Sequence, residues 1–321
     1  MIKDYFEKFS AFLVPHGLYK MFSSRKEKLE TAKFNKFMEK QKKRPIKRFG
    51  IATAEGEECV ILGNGPSLKN SLSGETLEFI RNKKKFCVNE SILSEEFLTL
   101  KPDYVVLMDP YYWSKNTGEP YKTYYLKDNE VLSKVDWKIK VFLPKPASEW
   151  NFFIDIPEKN KNVEIVYINT QLSQQPSEEL KFIEYRQNLS MPRVQNVLVA
   201  CLYLAINAGF KTSYIFGADH SWCNTLHVTE DNKLCYINSH FYDKEEVTTH
   251  QPLYRNPECT ETWTIGDFFE ALSYKFKTYD ELEKYSKYMG SKIVNASEVS
   301  YIDAFERLAK KPAEVAGGLH E

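Results

Sequence analysis

The sequence has no apolar run approaching the roughly 20 residues that a membrane-spanning helix needs. Its opening stretch, MIKDYFEKFS, carries charge where a secretory leader has an apolar core. A cytosolic location is the expectation that follows. There is no net charge either: 44 lysines and arginines balance 44 aspartates and glutamates. Bulk electrostatics therefore give no reason to expect nucleic acid as a partner. The six cysteines, Cys59, Cys87, Cys201, Cys223, Cys235 and Cys259, include no Cys-x-x-Cys pair. In a cytosolic protein they read as reduced thiols. Also missing is any Asp-x-Asp pair, a common way to hold Mg²⁺ or Mn²⁺ against a phosphate. No internal repeat or low-complexity tract interrupts the chain.

What is present is enough apolar residue for a real core, 42 % of 321 positions. Charge is patterned locally. From Lys20 to Arg48 there are about four basic residues for each acidic one. Residues 1–48 thus read as a basic, aromatic-rich, helical extension, closed by Pro45 and Gly50. Two roles are open for it. It packs on the domain or on a second copy of the chain. Alternatively its apolar face (Phe6, Phe9, Phe12, Leu13, Tyr19 and Phe22) and basic flank lie on an anionic membrane surface.

From Cys59 onward, apolar runs alternate with helical stretches. CVIL, KFCVN, DYVVLMD, IKVFL, VEIVYI, TSYIFGAD and KIVNAS read as strands. GETLEFIRN, SEEFLTL (capped by Ser94), VLVACLYLAINAGF (ending near Gly209) and TIGDFFEALSYKFKTYDELEKYSKYMG (one helix or two, closed by Gly290) read as helices. Continuous apolar strands alternating with helices predict an α/β fold, a mainly parallel, doubly wound, Rossmann-like sheet, over residues 49–311. Residues 312–321 are read as a disordered tail.

In such a sheet, ligands bind beyond the carboxyl ends of the strands. VILGNGPSLKN places Gly63, Asn64, Gly65, Pro66 and Ser67 just after the first strand. The glycines would let the backbone approach a ligand with no Cβ in the way. Asn64 would supply an amide, and Ser67 would cap the next helix, whose N-terminus favours phosphate. The stretch is neither Gly-x-Gly-x-x-Gly nor a P-loop. An ordinary strand-to-helix turn is the alternative. Asn89 follows the second strand and Asp109 the third, either converging on the same crevice or capping the helices after them.

VILGNGPSLKN, CVNES, INAGFKTSYIFGADHSW and NSHFYD together resemble the bacterial sialyltransferases of glycosyltransferase family 42. They also resemble related flagellin-modifying glycosyltransferases and an archaeal pterin pyrophosphokinase group. The resemblance spans roughly Cys59 to Asp243. It implies a CMP-sugar donor held by Gly63, Asn64, Gly65, Pro66, Ser67 and Asn89. Where the family has a donor-binding asparagine after the third strand, this chain has Asp109, which leaves the donor open. The family's histidine base matches His240 of the NSH element, with Asn238 and Ser239 beside it to orient the ring. His220 and Trp222 lie near the first of two tyrosines that assist the leaving phosphate. His227 is the substitute for the second.

The implied activity is metal-independent glycosyl transfer, without a cofactor, onto a surface-glycan or lipid-linked acceptor. A histidine near its ordinary pKa of about 6.5 suits the base. Two alternatives stand beside it: a Mg²⁺-dependent nucleotide pyrophosphokinase, and a non-catalytic sugar-nucleotide-binding protein. A further rival is a zinc site built from His220, Cys223 and His227 with Cys235 or His240. The runs PYYW and EPYKTYYL are rich in rings, which stack on sugars or fill a core.

Overall fold

The computed structural model describes residues 28–29, 32–33 and 36–308. The apolar face proposed for a membrane and the tail from 312 lie outside them. Among the described residues no helix is long and apolar enough to cross a membrane.

In chain order the elements are β1 (Glu58–Leu62), α1 (Gly74–Arg81), β2 (Lys84–Val88), α2 (Glu95–Leu100), β3 (Tyr104–Val106), α3 (Tyr121–Lys134), β4 (Ile139–Pro144) and β5 (Val163–Ile168). Next come α4 (Glu178–Gln187), α5 (Val197–Ala208), β6 (Thr212–Phe216), β7 (His227–Val228), β8 (Leu234–Tyr236) and β9 (Gln251–Pro252). Last are α6 (Ile265–Tyr288), β10 (Lys292–Asn295) and β11 (Glu306–Arg307).

Eight strands form one sheet in the order β11-β10-β6-β1-β2-β3-β4-β5, and each pairing is parallel. The α/β expectation is met. The register runs Cys59 against Lys84 on one side of β1 and Cys59 against Ser213 on the other. From β1 the chain builds outward through β2 to β5, then returns to place β6 on the opposite side of β1. The strand order therefore reverses at the β1/β6 pair, and a crevice opens beyond its carboxyl end.

Every residue of α5 is buried, as its unbroken apolar sequence requires. It packs on the sheet and under Tyr279, Leu282 and Tyr285 of α6. Fully burying a side chain such as Leu202 contributes about 1.5–3 kcal/mol. The one amide inside, Asn207, is satisfied by Tyr285 Oη–H at 2.5 Å and donates to the Tyr185 carbonyl at 2.9 Å. Gly209 ends α5 at φ +99°, in the left-handed region. Helix α6 is a single helix capped by Thr264, and Ser94 caps α2 through Phe97 N–H at 3.1 Å, both as read from sequence.

The end of the basic extension docks on the domain. Residues 36–42 are helical, Lys42 pairs with Glu179 at 2.6 Å, and Lys47 N–H donates to the Arg186 carbonyl at 2.7 Å. Three elements were not foreseen. Helices α3 and α4 lack a clean apolar period. Strands β7, β8 and β9 form a small antiparallel sheet of two- and three-residue strands, too short to alternate visibly.

Candidate functional site

The turn after β1 is laced to the turn after β6. Gly63 N–H donates to the Phe216 carbonyl at 2.8 Å, and Gly65 N–H to that of Gly217 at 2.9 Å. A Cβ on Gly63 would stand 2.5 Å from the Gly217 oxygen, and one on Gly65 would stand 2.6 Å from the Asp219 carboxyl carbon. This corrects the reason for both glycines. The space a side chain would take is filled by the β6 turn of the same chain, not by a ligand. Ser67 is corrected too. It makes no side-chain cap; its O–H donates to Asp219 Oδ1 at 2.5 Å and its N–H to Oδ2 at 3.0 Å. Burial raises the Asp219 pKa, and the two Ser67 bonds oppose that rise.

A cavity of about 200 Å³ opens over this turn, walled by Gly63, Asn64, Gly65, Pro66, Asn89, Glu90, Asn196, His220, Trp222 and His240 among others. The turn, Asn89 and two of the histidines are thus brought together. Asn64 Nδ2–H donates to the Val88 carbonyl at 3.3 Å, which pins its Oδ1 as an acceptor. That Oδ1 and the Oδ1 of Asn89 are buried and have no partner among the described residues. Asn89 itself adopts φ +47°, a conformation asparagine tolerates better than most residues. Glu90, next in sequence, has its pKa raised by burial.

His240 is tied to the turn through its neighbour: Phe241 N–H donates to the Asn64 carbonyl at 3.1 Å. Its ring stacks on Tyr242 at 4.9 Å and 9°. Its Nδ1 lies 4.0 Å from Asp243 Oδ2, and its backbone N–H donates to that oxygen at 2.6 Å. Asn238 and Ser239 line the cavity but make no hydrogen bond to the ring, so Tyr242 and Asp243 hold it instead. Burial lowers the His240 pKa, partly opposed by Asp243, which favours the neutral, proton-accepting ring.

His220 stands differently. It is 6 % exposed, at φ +55°, with Nε2 2.6 Å from Tyr279 Oη. Burial, then the Lys275 charge, drive its pKa well below 6.5. A ring held neutral against a tyrosine orients its surroundings rather than carrying a proton. Tyr279 Oη–H reaches Asn196 Oδ1 at 3.3 Å, and that same oxygen caps α5 through Leu198 N–H at 2.8 Å. Trp222 lies 4.4 Å from the His220 ring and under Lys275 Nζ at 3.8 Å. Burial pushes the Lys275 pKa down to about 7.

Two residues fall elsewhere. His227 is exposed on β7 beside His250 and lines neither this cavity nor its neighbour. Asp109 lines only the neighbouring cavity; its Oδ1 accepts Tyr111 N–H at 3.1 Å, so the helix-capping alternative holds for that oxygen. The zinc arrangement does not form. Among the described residues no three histidine, cysteine or acidic side chains converge as a metal would need, Cys223 is exposed, and His220 is engaged by Tyr279.

The sequence reading missed Asn196, Asp219 and Glu90. Asn196 carried a signal, an asparagine directly before an apolar helical run. Asp219 did not, because its partner Ser67 is 152 positions away. Compared with known proteins, the chain matches no family model and no curated protein.

Proposed function

We propose that the chain is a metal-independent glycosyltransferase taking its sugar from a nucleotide donor in the crevice beyond β1 and β6. The observation that carries this reading is the pair of buried, unpartnered acceptors, Asn64 Oδ1 and Asn89 Oδ1, on one cavity wall. Each such acceptor costs about 1–3 kcal/mol when left unmet. An exocyclic amine of a base, or the hydroxyls of a ribose, would meet them. The resemblance to the sialyltransferases favours cytidine among the bases.

Neither lysine nor arginine lines this cavity. The leaving phosphate would instead rest at the N-terminus of α5, where Val197 and Leu198 border the cavity and the helix dipole favours negative charge. His240, kept neutral by burial, takes the acceptor's hydroxyl proton. The acceptor oxygen then bonds to the anomeric carbon, and the carbon–phosphate-oxygen bond breaks with its electron pair leaving on the nucleotide. His220 and Tyr279 fix Asn196 at the helix end. The lack of an Asp-x-Asp pair supports electrostatic assistance from the protein over assistance from a divalent ion. The docked basic extension suits work at the cytoplasmic face of a membrane, on a lipid-linked glycan.

The test is nucleotide release from CMP-, UDP- and GDP-sugars by the purified chain in excess EDTA. Release from one of them, abolished in His240→Ala, supports the proposal. Turnover that needs Mg²⁺ and consumes ATP would replace it with pyrophosphoryl transfer.

A further inference from the structure

A second cavity, of about 410 Å³, opens beside the first and shares Asn89, Asn196 and Val197 with it. That volume lies within the roughly 300–1,000 Å³ of small-molecule sites. Its other walls come from chain segments that the resemblance does not include. Tyr254, Arg255 and Trp263 follow β9, and Asp109 with Tyr111 follow β3.

The rings are fixed. Trp263 Nε1–H donates to the Tyr254 carbonyl at 3.1 Å, and Tyr111 Oη–H reaches the same oxygen at 3.4 Å. Tyr111 also stacks on Tyr121 at 4.4 Å. Around these rings stand planar polar groups: the Asp109 carboxylate, the Arg255 guanidinium and the amides of Gln195 and Asn196. Asp109 spends one oxygen on Tyr111 N–H, and its second has no hydrogen bond among the described residues. Rigid rings beside planar hydrogen-bonding groups suit the two faces of a sugar, apolar C–H on one side and hydroxyls at the edge.

Charge decides against a second phosphate. Arg255 is the one lysine or arginine among the lining residues, and it already faces Glu261 at 3.6 Å and Asp267 at 3.9 Å. With Asp109 included, acids outnumber bases here, so an anion is disfavoured and a neutral, hydroxyl-rich ligand is favoured.

We infer that this second cavity is the acceptor subsite, a slot for a neutral saccharide placed between Trp263 and Asp109, with its reacting hydroxyl directed to the shared wall at Asn89 and Asn196. The inference rests on the glycosyl-transfer reading for its role, while the saccharide site itself stands on the lining.

The experiment measures binding of the full chain to an array of immobilised neutral and acidic mono- to tetrasaccharides. In parallel, thermal shift is read with CMP, UDP and GDP. Variants are Trp263→Ala and the half-exposed, fold-safe Arg255→Ala. Binding to at least one neutral saccharide is expected, weakened at least tenfold in both variants, with the nucleotide shift unchanged. No saccharide bound while a nucleotide shift is present would overturn the inference and leave the donor reading intact. So would saccharide binding that survives both substitutions, or a preference for acidic saccharides. Saccharide binding with no nucleotide shift would keep this subsite and sink the donor reading instead.

Discussion

Ser67 and Asp219 join the two turns that frame the crevice: the serine donates both its O–H, at 2.5 Å, and its N–H, at 3.0 Å, to one carboxylate. Ser67 follows β1 and Asp219 follows β6, the two strands at which the sheet order reverses. The bond therefore fixes the floor of the candidate donor site from both sides.

Removing the hydroxyl with Ser67→Ala should destabilise the chain by about 1–3 kcal/mol, the cost of an under-satisfied buried group. Gly65→Ala should cost about 1–3 kcal/mol as well, because its methyl meets the Asp219 carboxylate. Urea denaturation measures both. A Gly65→Ala protein as stable as the parent would show that the two turns are not held as close as described.

Asp109 should give stability a pH slope. Burial first, with a further contribution from Glu90, raises its pKa to about 7, and the Tyr111 N–H only partly opposes this. An unfolded aspartate titrates near 3.9. Between these values the folded state holds a proton that the unfolded state has released, so stability is fully present below about pH 4 and falls as pH rises towards 7. Melting temperatures of the parent and Asp109→Asn between pH 4 and 8 should show the parent losing ground to the variant over that window. Parallel curves would contradict the shift.

His240→Ala should lower transfer by roughly 10²–10⁴, the range for a positioned base, with donor affinity little changed. In the parent, the acid limb of kcat/KM should lie below pH 6.5, because burial lowers the imidazole pKa. An acid limb above 6.5, or near-parental turnover in a folded variant, would remove His240 from the chemistry.

Transfer should persist in excess EDTA, since no Asp-x-Asp pair is present. Loss of turnover that Mg²⁺ or Mn²⁺ restores would show that an ion assists the leaving phosphate.

The parallel sheet was legible because each of its inner strands is a short apolar run, such as VIL in β1 or FCV in β2, bounded by glycine or polar residues. The position of the site was legible as well, since Gly63 and Asn89 stand at strand ends. What those residues touch was not. Ser67 reads locally as a cap, and only the return of β6 beside β1 brings Asp219 to it. Helix α3 escaped because tyrosines fill several of its positions with little apolar period. The wall made by Tyr254, Arg255 and Trp263 escaped because it depends on loop packing after β9, which carries no periodic signal.

The most direct measurement is the thermal shift produced by CMP-, UDP- and GDP-sugars on the parent and on Asn89→Gly. Glycine keeps the positive φ of this position without strain and removes only the amide. The expected result is a raised melting temperature with at least one donor. In the variant, affinity for that donor should fall about tenfold, the equivalent of one lost hydrogen bond, with the unliganded melting temperature nearly unchanged. No shift with any of the three, or an affinity indifferent to Asn89→Gly, would contradict a nucleotide donor held at the ends of β1 and β2.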